Sequence, residues 1–71
     1  MKYITEKDDK WHPMNEEMPP HTVDVELKDK DGIITKATIV VEMSGYYLYM
    51  NPGWGSLSDY THWRFTKNSI L

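Results

Sequence analysis

The 71-residue sequence predicts an all-β or β-rich α+β fold, built as a small four-stranded antiparallel meander with an irregular N-terminal arm. Three observations predict it. Apolar and polar residues alternate with the period of a half-buried strand, turn sequences separate these stretches, and no adequate stretch has a helical period. The length allows one small domain. We expect it to span 1–71, with the arm at 1–21, the sheet at 22–66 and a tail at 67–71.

The N-terminal arm contains three prolines, all of which precede the first predicted strand. Pro13, Pro19 and Pro20 bracket residues 15–18. Proline has no backbone N–H and disfavours a helical residue before it, so these positions confine any helix to a single turn. An irregular course over the sheet is the expectation for this segment.

The first predicted strand covers residues 22–28, where apolar and charged residues alternate. Its faces are Val23, Val25 and Leu27 on one side and Asp24, Glu26 and Lys28 on the other. Residues 29–32 follow as a turn that ends in glycine, the residue that adopts positive φ most easily. This strand is expected to be the first half of a hairpin.

The second predicted strand covers residues 33–43 and is rich in Ile, Thr and Val. Its expected inward face is made by the odd positions Ile33, Thr35, Ala37, Ile39, Val41 and Met43. Lys36, Thr38 and Glu42 point the other way. The length and the alternation indicate an antiparallel partner for the first strand.

Two more strands are predicted near the C-terminus. Ser44 and Gly45 form a tight turn into a strand at 46–50, and the Pro- and Gly-containing residues 51–56 are expected to form a loop. The last strand, at 60–66, alternates as well. Thr61, Trp63 and Phe65 share one face, and Tyr60, His62 and Arg64 share the other.

Charge and aromatic content divide the chain into two parts. Residues 1–43 hold ten of the eleven acidic residues and have a net charge of −4, whereas residues 44–71 have a net charge of +1. The second part also holds seven of the nine aromatic residues. Two chemically different surfaces are therefore expected on one small domain.

The residues do not indicate catalysis, a cofactor or a metal. The chain has no cysteine, its three histidines lack paired ligand spacing, and no glycine-flanked nucleophile or phosphate-binding loop is present. Asp59 and His62 are the candidate acid–base pair. A general base also needs a pocket for its substrate, and a domain this small has little room for one. The sequence predicts a protein that is not an enzyme.

Binding is the function class that the aromatic residues favour. Trp54 lies between two glycines, so its ring either covers the core or is exposed as an interface anchor, and both alternatives stay open. Trp, Tyr and Arg dominate binding hot spots because they bury a large area with few rotatable bonds. The candidate binding residues are Trp54, Tyr46, Tyr47, Tyr49, Tyr60 and Arg64.

The expected partner is another protein. Single-stranded nucleic acid or a nucleotide is an alternative, with Tyr46, Tyr49, Trp54, Trp63 and Arg64 as the stacking and cationic residues. The net charge of −3 disfavours it, because phosphate contacts supply most of such affinity. A homo-oligomer or homodimer through an edge strand is a third alternative. The N-terminal residues lack an apolar signal segment and no stretch is long enough to span a bilayer, which predicts a cytoplasmic protein without membrane contact.

A spaced pattern in residues 11–65 resembles the domain of unknown function 551 family, small proteins encoded by phages and prophages. The pattern comprises the segment WHPMNEEMPP at 11–20, the strand at 23–27, the Asp31-Gly32 turn and THWR at 61–64. Trp11, Pro19, His62 and Trp63 would be the shared positions. The resemblance implies a phage or prophage origin and a small β-fold. The resulting expectation is a phage accessory protein in the bacterial cytoplasm that binds a host protein and inhibits a defence or metabolic factor.

Overall fold

The structure is a computed structural model, which describes residues 2–67. Within them the elements are short strands and one 3₁₀ turn. The elements are β1 (Lys2–Tyr3), β2 (His12–Pro13), β3 (Glu17–Met18), β4 (Val23–Lys28), β5 (Ile34–Glu42), β6 (Gly45–Tyr49), β7 (Trp54–Gly55), the 3₁₀ turn (Leu57–Asp59) and β8 (His62–Phe65). Within these residues, no helix has the length and apolar character that crossing a membrane requires.

The main sheet is antiparallel and has six strands in the order β2-β8-β4-β5-β6-β7. The all-β prediction is confirmed, but the four-stranded meander is wrong in strand number and order. Strand β8 pairs with β4 and not with β7, the strand that precedes it in sequence. After β7 the chain returns across the molecule to reach this position. Two short strands that the sequence pattern does not reveal, β2 and β7, form the edges.

Strands β4 and β5 form the antiparallel hairpin at the centre of the sheet. Val25 lies opposite Ala37 and Leu27 opposite Thr35, so the apolar positions of both strands share one face. The Asp29 carboxylate accepts hydrogen bonds from the backbone N–H groups of Asp31 (2.8 Å) and Ile33 (3.0 Å). Gly32 has φ of +81°, a conformation that an L side chain would strain. This turn fixes the register on which the rest of the sheet is built.

The core lies on one face of the sheet, which we call the inner face. Because side chains alternate along each strand, residues that are opposite one another in register share a face. Ile39 lies opposite Leu48, and Val25 lies opposite Phe65. The buried apolar residues are Ile4, Met14, Met18, Val25, Leu27, Ile39, Leu48, Trp63 and Phe65.

The two ends of the predicted 33–43 strand are not buried. Ile33 and Met43 were expected on the inward face, but Ile33 is 61% exposed and Met43 is fully exposed. Both residues lie outside β5, in the turns that connect it to its neighbours. The alternation of inward and outward side chains therefore holds only within β5, where pairing with the neighbouring strands keeps the backbone extended.

The N-terminal arm closes the inner face and is more ordered than predicted. Strands β1 and β3 pair in parallel, and β2 joins the main sheet at β8. The indole N–H of Trp63 donates a hydrogen bond of 2.7 Å to the backbone carbonyl of Glu17. Met14 and Met18 are buried in the same core cluster as Trp63. Of the predicted tail, only Lys67 falls within the described residues.

We predict that Trp63→Phe lowers the free energy of unfolding by about 2–4 kcal/mol. The smaller ring leaves a cavity, and the buried carbonyl of Glu17 loses its donor. Trp54→Phe, the matched control on an exposed ring, should change the free energy of unfolding by less than about 0.5 kcal/mol. Urea denaturation followed by far-ultraviolet circular dichroism measures both. Equal losses in the two variants would contradict the placement of Trp63 in the core.

Candidate functional site

The second face of the sheet, which we call the outer face, carries polar and aromatic side chains. One row of cross-strand neighbours runs from β4 to β7. Asp24 lies opposite Thr38, Thr38 opposite Tyr49, and Tyr49 opposite Trp54. A second row places Glu26 between Arg64 and Lys36. The polar positions of the predicted strands therefore meet aromatic residues on one continuous surface.

An aromatic ridge, formed by Tyr47, Tyr49 and Trp54, lies along the β6–β7 side of the outer face. Trp54 is 67% exposed and Tyr47 is 41% exposed. The rings of Tyr49 and Trp54 meet edge to face, with centroids 5.2 Å apart and planes at 67°. The hydroxyl groups of Tyr47 and Ser44 lie 2.7 Å apart. Of the two alternatives for Trp54, the structure shows the exposed one.

The backbone around Trp54 explains why its ring is exposed. The predicted loop at 51–56 contains β7, which pairs with the end of β6. The N–H of Met50 donates to the carbonyl of Gly53 (2.8 Å). This hydrogen bond closes the turn that precedes Trp54. A Cβ added to Gly55 would lie 2.9 Å from Cγ of Met50. Glycine at this position lets β7 lie close over Met50, and the neighbouring Trp54 side chain then points outward.

A groove of about 470 Å³ lies beside the ridge on the outer face. Its lining side chains include Asp24, Glu26, Lys36, Thr38, Tyr49, Asn51, Arg64 and Lys67. Three cations and two carboxylates give this lining a formal charge of +1, whereas the whole chain has −3. The groove is therefore more positive than the rest of the molecule.

Both carboxylates of the groove have partners. The Nε–H of Arg64 donates to Glu26 at 2.8 Å, and the hydroxyl of Thr38 donates to Asp24 at 2.7 Å. Lys36 and Lys67 are exposed, and neither forms an ion pair within residues 2–67. The positive charge that an incoming group would meet thus comes from the two lysines.

The far end of the outer face is formed by Trp11. The ammonium of Lys28 and the guanidinium of Arg64 each lie 4.3 Å from the centroid of its ring, within the range of a cation–π interaction. The Trp11 ring thus contacts side chains of the outer face, although it belongs to the N-terminal arm. Arg64 is consequently engaged by both Trp11 and Glu26.

The candidate binding residues fall on both faces. Trp54, Tyr47, Tyr49 and Arg64 lie on the outer face, as described. Tyr46 lies opposite Val41, and both it and Tyr60 pack against the core. Desolvation and the neighbouring Tyr3 hydroxyl raise the pKa of Tyr46. Tyr46 does not contribute to the ridge, because its register places it on the inner face. Tyr60, expected on the face of Arg64, directly follows the 3₁₀ turn and precedes β8, so strand alternation does not apply to it and it packs against the core.

The acid–base pair considered from the sequence is not assembled. The ring of His62 lies 2.9 Å from the hydroxyl of its neighbour Thr61, and no contact joins it to Asp59 among the described residues. Asp59 ends the 3₁₀ turn, and His62 begins β8. The two side chains belong to different local structures despite their short spacing in sequence.

A different histidine, which the sequence pattern did not single out, is held between two acids. Nε2 of His12 lies 2.8 Å from Asp8, and Nδ1 lies 2.7 Å from Glu17. An ionised carboxylate only accepts hydrogen bonds, so both nitrogens can donate to ionised partners only when the ring is protonated. The ring is buried against Trp63, with centroids 4.8 Å apart. The two carboxylates contact different nitrogens of the same ring. Within residues 2–67, no three side chains of His, Cys, Asp or Glu are grouped so that they could hold a metal ion.

The pKa of Asp8 responds to this arrangement. Desolvation favours its neutral form, but hydrogen bonds from the His12 ring and the Lys10 backbone N–H, with the charges of both residues, outweigh it. They hold the pKa of Asp8 below its ordinary value. The contacts of His12 with Asp8 and Glu17 thus join the arm to the core. They lie next to the hydrogen bond from the Trp63 indole to the backbone carbonyl of Glu17.

Comparisons with protein-family models, curated proteins and solved structures find no match to this chain. The resemblance to small phage proteins stays a prediction.

We predict that Asp8 contributes to stability above the pKa of its carboxyl in the unfolded chain, about 3.9. A depressed folded-state pKa means that this contribution is lost as the pH falls through the folded value. Asp8→Asn should therefore make the free energy of unfolding depend less steeply on pH in the acid range. Urea denaturation at a series of acidic pH values tests this. Asp9→Asn removes a neighbouring exposed carboxylate and is the control, and identical slopes in the Asp8 variant and the native protein would contradict the prediction.

Proposed function

We propose that the protein is a non-enzymatic binding module that docks on another protein through the aromatic ridge. The observation that carries this proposal is Trp54, two-thirds exposed on an edge strand and supported edge-on by Tyr49. Exposed aromatic clusters of this kind are typical of interaction surfaces. The ring is already held by its neighbour, so docking costs little side-chain entropy.

The specific form of the proposal is a phage accessory protein acting on a host protein, and inhibition of a defence or metabolic factor is the proposed outcome. It is supported by the resemblance of residues 11–65 to small phage proteins. A small module without an assembled acid–base pair at Asp59 and His62 can act on a host by occupying a surface of its target.

The two alternative partners are less well supported on this surface. Trp63 and Tyr46, two of the five residues named for nucleic-acid binding, lie on the inner side of the sheet, and Trp63 is fully buried. The homodimer through an edge strand would use β2 or β7, but each has only two residues, which offers few backbone groups for pairing. A protein partner, by contrast, can contact the ridge in the exposed conformation that the structure shows.

We predict that Trp54→Ala weakens partner binding by about 30-fold or more, the effect of removing a hot-spot aromatic residue. Tagged native protein retains a partner from bacterial lysate, mass spectrometry identifies it, and calorimetry with the purified partner gives the affinities. Ile33→Ala is the matched control, because it removes an apolar side chain of similar exposure in the turn between β4 and β5.

Two outcomes would contradict the proposal. Retention of the same partner with equal affinity by Trp54→Ala would show that the ridge is not the docking surface. Retention of no protein by the native form would count against protein binding altogether. Light scattering on the purified chain completes the experiment, because a doubled mass that Trp54→Ala abolishes would assign the ridge to a homodimer.

A further inference from the structure

The groove beside the ridge adds a chemical requirement that the ridge alone does not impose. Its two carboxylates are engaged by Arg64 and Thr38, whereas Lys36 and Lys67 have no ion-pair partner within residues 2–67. Tyr49 lines the groove and also belongs to the ridge. A group that lies in the groove therefore meets two free ammonium groups and an aromatic surface together.

We infer that the groove receives an acidic segment of the partner protein, in which Asp or Glu stands beside an aromatic or aliphatic residue. This inference rests on the proposed function and names the partner chemistry at the same surface. The carboxylate lies against Lys36 and Lys67, and the apolar neighbour packs on Tyr49 and Trp54. Charge complementarity of this kind sets the specificity and orientation of a complex more than its total affinity.

The number of free cations distinguishes this occupant from nucleic acid. Each phosphate of a single strand that a protein neutralises contributes about 0.7 to the logarithmic salt slope, so two lysines give a slope of only about 1.4. The remaining surface of a chain with net charge −3 repels a polyanion. One or two carboxylates on a peptide segment match the two lysines without placing further negative charge against that surface.

The groove also suits a peptide segment in its size and polarity. Its volume of about 470 Å³ accommodates a few side chains, and it is open along the sheet face. Thr38 and Asn51 add a hydroxyl and an amide to the lining, and the Nδ2–H groups of Asn51 are donors whose hydrogen bonds a carbonyl of the segment can accept. The segment can therefore lie along the groove while its side chains contact the lysines and the ridge.

The test selects ligands for the native protein from a displayed random peptide library. Enriched peptides should carry Asp or Glu next to an aromatic or aliphatic residue. The most enriched peptide is then synthesised and its binding measured by fluorescence anisotropy. The double variant Lys36→Glu, Lys67→Glu should raise its Kd about tenfold or more, since two ion pairs are replaced by repulsion. Lys30→Glu, which reverses an exposed charge in the β4–β5 turn, should change Kd by less than about twofold.

The outcomes separate this inference from the proposed function. Peptides without acidic enrichment, or a Kd unchanged in the double variant, would overturn the inference, while loss of binding in Trp54→Ala would still support docking on the ridge. Binding that neither Trp54→Ala nor the double variant affects would contradict both. The absence of any enriched peptide would also overturn the inference, and salt-sensitive binding of an oligothymidylate would assign the surface to nucleic acid instead.

Discussion

The architecture depends on the burial of Trp63 and on the hydrogen bond from its indole to Glu17. The ring lies on β8, but its donor is satisfied by the arm, so one side chain joins the two parts of the molecule. His12 and Phe65 pack against it at centroid distances of 4.8 and 5.0 Å. In a small domain without disulfides, the apolar area buried by such a ring is a large share of the available stabilisation. The arm therefore covers the inner face, and on the outer face its Trp11 ring contacts Lys28 and Arg64.

This closure of one face decides what the aromatic residues do. Aromatic rings on the inner side, such as Trp63 and Phe65, fill the core, whereas Trp54 is exposed and Tyr49 packs against it edge to face. The two groups lie in one sheet, on β8 and on β6 and β7, and their side chains point to opposite faces. The outer face combines these rings with lysines and with carboxylates that already have partners. The buried core and the exposed aromatic ridge thus lie on the two sides of a single sheet.

Local patterns predicted the central hairpin well because its information is local. The alternation from Val23 to Lys28 and the Asp29–Gly32 turn specify both the face and the register. The edge strands β2 and β7 were not predicted, because two-residue strands have no periodicity to detect. Strand β8 was recognised, but its pairing with β4 depends on a long return of the chain that no local pattern encodes. His12 was missed for the same reason, since its carboxylate partners meet it only in the folded arm.

The sequence by itself determined the all-β class, the turn at Gly32 and which residues share a face of their strand, such as Val25 with Leu27 and Trp63 with Phe65. These properties follow from the period of two and from backbone chemistry, which act between near neighbours. Only the tertiary structure decided whether the Trp54 ring is exposed or covers the core, and which tyrosines lie beside it. Strand parity places Tyr49 beside Trp54 and Tyr46 on the core side, where the arm packs. Exposure is a property of what packs above a residue, and that packing is settled between segments distant in sequence.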